Sequence, residues 1–108
     1  MVQSKIKGDC LWIYLKDEID HCVSLQLREE IDSLISSERI KRLHLDFSKV
    51  TFIDSSGIGM IIGRYKTMKE KHGTVSASGM NDMVYRLFRL AGLHRIIPAR
   101  IDGGECNE

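Results

Sequence analysis

The sequence predicts a single α/β domain with its elements in the order ββαβαβαβ around a small parallel or mixed sheet, and three observations lead there. The hydrophobic period switches repeatedly between about two and about 3.6 residues, as it does where strands and helices alternate. Residues that start and stop helices stand at those switches. The 108 residues are 43% hydrophobic and 29% charged with a single proline, which places the chain among globular domains and excludes disordered, collagenous and coiled-coil classes. A chain of this length buries roughly two-thirds of its surface on folding, enough for one core.

Ser4–Lys7, a turn at Gly8-Asp9 and the β-favouring run Cys10–Leu15 read as an opening antiparallel hairpin. Val23, Leu27, Ile31, Leu34 and Ile35 recur at helical spacing with Arg28, Glu29, Glu30 and Asp32 between them, an amphipathic helix with Asp20 as its N-cap. Leu43, Leu45 and Phe47 alternate with Arg42, His44 and Asp46 as a strand, which leads into a loop under the core that ends at Asp54-Ser55-Ser56-Gly57. Ile58, Ile61, Ile62, Tyr65 and Met68 mark a second helix, stopped at Lys71-His72-Gly73 with the glycine expected at C′. Val75–Ala77 reads as a short strand. Met83, Val84, Leu87, Phe88 and Ala91 follow an Asn81 N-cap and end at Gly92 as a third helix, and Ile96-Ile97 supply a last strand before Pro98. Residues 1–98 form one domain in this reading, and 99–108 a polar tail expected to fray. Crossovers of this order are right-handed and put functional loops at the carboxyl ends of the strands, which is where Asp54–Gly57 falls.

Sixteen Lys and Arg against fifteen Asp and Glu leave a net charge of +1, too little to hold a phosphate backbone, so nucleic acid is not an expected partner. The charge is uneven: residues 1–54 carry 8 basic and 10 acidic groups, residues 55–108 carry 8 and 5, and that split favours a protein partner. Three cysteines, Cys10, Cys22 and Cys106, with no C-x-x-C pair and no histidine at ligand spacing, point to neither a disulfide framework nor a zinc site. No metal or other cofactor is expected. The apolar runs are too short for a membrane span, and the N-terminus lacks the pattern of a signal peptide, so a cytoplasmic location is expected with no membrane partner.

The segment that carries chemistry is Asp54-Ser55-Ser56-Gly57, between a strand and a helix start where backbone N–H groups lack intrahelical partners. Either hydroxyl could cap the helix, and Ser56 is the better placed; with Ser55 open, the turn is small, polar and suited to a kinase. Gly57, Gly59 and Gly63 lie within the first turns of the helix, although each interior glycine costs up to about 1 kcal/mol relative to alanine. Glycines at a helix start leave amides open to another molecule, while Gly63 would serve close packing of helix on sheet.

Leu43 to Lys66, through Asp54-Ser55-Ser56-Gly57 and Gly63-Arg64-Tyr65-Lys66, followed by Val84 to Leu93 and Ile96-Ile97, closely resembles the STAS-domain anti-sigma-factor antagonists, with the sporulation branch the nearest likeness. The resemblance spans about residues 4–98. It implies a small mixed sheet flanked by helices and a partner-switching cycle run by one serine, which by position is Ser55. An anti-sigma factor acting as a serine kinase phosphorylates that serine with its own ATP; the unphosphorylated form binds the kinase and frees the sigma factor; a phosphatase of the PP2C type resets the cycle. The resemblance also matches Asp20 to an acidic residue in the neighbouring loop and Arg64 to a position on the second helix. Asp17 departs from it, standing where many relatives have Gly, and Cys22 replaces a His or polar residue.

The expected contact surface comprises Asp20, Asp54, Ser55, Ser56, Gly57, Ile58, Gly59 and Arg64, with Ile58 as its apolar centre. The amides at the start of the second helix are expected to donate to the phosphate oxygens. Two other classes compete with this reading. A serine hydrolase needs a base held by a third group, and His21, His44, His72 and His94 come with no G-x-S-x-G elbow and no motif tying one to the serine; His44 reads as a surface residue. A non-signalling STAS accessory module, of lipid or anion transport, is the other alternative.

Overall fold

A computed structural model describes residues 2–99. Gly8, at φ +62°, turns β1 (Gln3–Lys7) back onto β2 (Cys10–Ile19) as an antiparallel pair. Helix α1 (His21–Ile35) then returns the chain so that β3 (Arg42–Ile53) runs parallel to β2, and α2 (Ser55–Glu70) does the same for β4 (Thr74–Ser78) beside β3. The result is a mixed four-stranded sheet in the order β1-β2-β3-β4, followed by α3 (Asp82–Leu90) and a single 3-10 turn at Leu93–Arg95. The predicted fold class holds.

Strand alternation builds the core. Leu11, Leu43 and Val75 stand in one row across β2, β3 and β4, and Ile13, Leu45 and Ala77 in the next but one. All six are buried in one cluster with Leu27, Ile31 and Ile35 of α1 and Met60, Ile61 and Met68 of α2. Each such large side chain contributes about 1.5–3 kcal/mol by leaving water, so the helices are fixed on the sheet by these rows.

Four expectations change. β3 does not give way to a loop after Phe47: it continues to Ile53, its irregular pattern matched by register shifts in its pairing with β2. Ile96-Ile97 form no strand; the chain turns through Leu93–Arg95 and, among the described residues, touches the sheet at one parallel bridge, Ala77 to Ala99. The left-handed residue that ends α2 is His72, at φ +60°, with its N–H on Lys69 O and that of Gly73 on Met68 O; Gly73 is required instead because a Cβ there would lie 2.7 Å from Lys41 O. His44 is buried, with Nδ1 and Nε2 each 2.7 Å from a hydroxyl, of Ser76 and Ser78, and its ring centroid 4.1 Å from that of Trp12 at a tilt of 35°. The expected fraying of the tail concerns residues 100–108, outside the described residues.

Candidate functional site

β2 and β3 end level with each other, Ile19 paired with Ile53, and each strand is followed by the same turn. Asp20 (φ −96°, ψ −170°) and Asp54 (φ −102°, ψ −174°) are extended N-caps of α1 and α2. Asp20 Oδ1 accepts from Val23 N at 2.9 Å; Asp54 Oδ1 accepts from Ser56 N at 2.8 Å and Gly57 N at 3.1 Å. Asp54 N donates to Ile19 O, tying the two turns together. Parallel strands with matched ends thus place two helix N-termini and two carboxylates side by side at the carboxyl ends of the two central strands.

Ser55 is the first residue of α2 and is exposed; Ser56 is half-buried, its Oγ 3.3 Å from His21 Nδ1. The expectation that Ser56 caps α2 is corrected: with Asp54 already extended and facing the amides, its carboxylate takes them first. The amides of Ser56 and Gly57 are therefore occupied, which also corrects the expectation of open donors to a phosphate there. Asp54→Ala should cost about 0.5–2 kcal/mol while Ser56→Ala costs a few tenths, measured as the shift of urea unfolding midpoints; equal losses would return the cap to Ser56.

The predicted contact residues divide. Asp20, Asp54, Ser55 and Ser56 come together at the strand ends, with Ile58 half-buried and Gly59 exposed beside them. Gly57 is buried against the sheet. Arg64 does not lie on an exposed face: it is 5% exposed, between α1 and α2, with Nε 2.9 Å from Asp32 Oδ1. Burial pushes its pKa below the ordinary arginine value; Asp32 opposes that fall and Arg28 adds to it. Gly63 meets nothing within 4 Å of where a Cβ would stand, so it is not a packing glycine. The contact of His21 with Ser56 was legible only as far as His21 following the Asp20 cap. Asp17, flagged as standing where relatives have Gly, has φ +61° beside a register shift in β2, a conformation that Gly adopts without strain and Asp tolerates.

The family model for the STAS domain matches residues 1–103. An anti-sigma F factor antagonist of Paenibacillus polymyxa is 35% identical over 88 residues, 82% of this chain and 75% of that protein. An anti-sigma-B factor antagonist of Bacillus subtilis is 30% identical over 105 residues, 95% of this chain and 94% of that one. Among solved structures, the anti-sigma factor antagonist SpoIIAA in its unphosphorylated form superposes with a TM-score of 0.81 at 24% identity, over 92% of this chain and 87% of that one. The chain belongs to the STAS-domain family.

Proposed function

We propose that this protein is an anti-sigma-factor antagonist that works by partner switching at Ser55. Unphosphorylated, it binds an anti-sigma factor that is also a serine kinase and so releases the sigma factor; transfer of the γ-phosphoryl group of the kinase's ATP to Ser55 ends that binding, and a PP2C-type phosphatase restores it. The names of the relatives, antagonists of anti-sigma F and anti-sigma-B factors, support the class. The observation that carries the site is that Ser55 is exposed at the first position of α2 while Asp54, not a serine, holds the cap, so its hydroxyl can be modified without cost to the helix. The proposed docking patch is Asp20, Asp54, Ser55, Ser56, Ile58 and Gly59, with Gly57 and Arg64 positioning it from beneath.

A regulatory rather than enzymatic role fits this geometry. The histidine nearest the serines, His21, is itself exposed, and among the described hydrogen bonds it meets Ser56 alone, whereas a nucleophile-activating base is oriented by a third group. Cytoplasmic action fits too, since no helix among the described residues is long and apolar enough to cross a membrane. Incubation with ATP and the cognate anti-sigma kinase, followed by intact mass and phosphopeptide mapping, tests the site. One phosphate on Ser55, lost in Ser55→Ala, is expected. Stoichiometric phosphate on Ser56 in that variant would overturn the assignment, and no phosphate at all would favour a non-signalling accessory module.

A further inference from the structure

The outer face of α3 plays no part in the switch. Val84 and Phe88 turn inward and are buried in the core. On the opposite side of the helix Met83, Arg86 and Leu90, spaced by three and four residues, form one row, and all three are exposed. Leu90 is 77% exposed, more than any other large apolar side chain among the described residues, and Met83 is 52% exposed. Ile96, just past the 3-10 turn, is exposed as well. Residues 83–99 contain Arg86, Arg89 and Arg95 and no Asp or Glu, and among the described residues none of these three arginines makes an ion pair. Beside the row a shallow groove of about 430 Å³ is lined by Asp82, Tyr85, Arg86, Arg89 and Leu90, with the Arg89 guanidinium carbon 5.9 Å from the centre of the Tyr85 ring.

We propose that this face rests on an anionic lipid surface, with Met83, Leu90 and Ile96 in the boundary between headgroups and acyl chains and a phosphodiester headgroup in the groove at Arg86 and Arg89. Arginines without carboxylate partners, interleaved with protruding apolar side chains, are the composition of a helix that lies in a membrane interface, and each such cation gains from a negative surface. Leu90 stands out from the helix, so a protein partner would have to supply a pocket for it, whereas a lipid interface takes a protruding side chain of any shape. The arginine stems can lie along the apolar row while their guanidinium groups stay with the phosphates. The expectation of no membrane partner rested on the length of the apolar runs, which bears on spans; a surface contact needs only one helix face. Nothing in this contact depends on Ser55, which starts a different helix.

The test is cosedimentation of the intact chain with vesicles of equimolar phosphatidylglycerol and phosphatidylcholine, against vesicles of phosphatidylcholine alone. Binding is expected only to the mixed vesicles and weakens as salt is raised. Arg86→Gln with Arg89→Gln should lower it at least about tenfold, since each cation at an anionic surface contributes about fivefold, and Leu90→Ser should lower it at least about fivefold. Lys5→Gln with Lys7→Gln, which removes the same charge from β1, should lower it far less, and Ser55→Ala should bind as the parent does. All six substituted positions are exposed, so each variant keeps the fold, which amide spectra check. Equal binding to both vesicles, as large a loss in the β1 variant as in the α3 variant, full binding by Leu90→Ser, or no binding to the mixed vesicles would overturn the proposal, the last leaving the face to an acidic protein partner.

Discussion

Gly57→Val should remove roughly 1–3 kcal/mol of stability. A Cβ at this position would stand 2.4 Å from Ile53 Cγ1, 2.9 Å from Ile53 Cδ1 and 3.1 Å from Ile19 Cγ2, inside contact distance of the two residues whose pairing levels the ends of β2 and β3. Extra methyls in a packed core cost roughly 1–3 kcal/mol and sometimes more, and the helix propensity regained on replacing glycine returns at most about 1 kcal/mol. Gly59→Ala makes the contrast: with open space around its Cβ it should gain up to about 1 kcal/mol. Urea unfolding of the three proteins checks the pair. A Gly57→Val protein as stable as the parent would mean that α2 does not start against the strand ends as described. The expectation that Gly57 belongs to the contact surface gives way here, since the glycine is buried against Ile53 and Ile19 of the sheet.

How much of this was legible in the sequence depends on whether the deciding contact was local. The Gly8-Asp9 turn, the caps Asp20 and Asn81, and the stop at Gly92 all rest on neighbours within four residues, and each was read correctly. The position of the site followed from strand-turn-helix order alone. Which of Asp54, Ser55 and Ser56 caps α2 did not, because all three are favoured cap residues and the choice is made by the pairing of Ile19 with Ile53 and the hydrogen bond from Asp54 N to Ile19 O. Arg64 was misplaced for a related reason. A charged residue at helical spacing reads as solvent-facing, while here its partner, Asp32, is on another helix. The length of β3 was hidden by Ser48, Lys49 and Thr51, exposed residues that break the alternation, and by Asp46, whose carboxylate turns back onto Ser48 N at 2.8 Å.

Phosphorylation of Ser55 should weaken binding of the anti-sigma kinase at least a hundredfold while leaving the fold unchanged. The phosphoryl group brings about −1.5 to −2 charges to a turn where Asp54 already occupies the amides of Ser56 and Gly57 and the Asp20 cap lies alongside. Neither of those amides is free to donate to its oxygens, so the group is held outward, where Ser55 is exposed. Burying such a charge against a partner that offers no matching cation costs several kcal/mol, and a hundredfold loss needs only about 2.8 kcal/mol. The core rows of β2, β3 and β4 lie away from this turn, so the change acts on docking and not on folding.

Calorimetric titration of the cognate anti-sigma kinase with unmodified and Ser55-phosphorylated protein, with amide spectra of both forms, tests the switch most directly. The account predicts tight binding of the unmodified form, a dissociation constant at least a hundredfold higher for the phosphorylated one, and spectral changes confined to the turns around Asp20 and Asp54 and the first turns of α1 and α2. Equal affinities would contradict the switch, and changes spread through the strands would contradict its local mechanism.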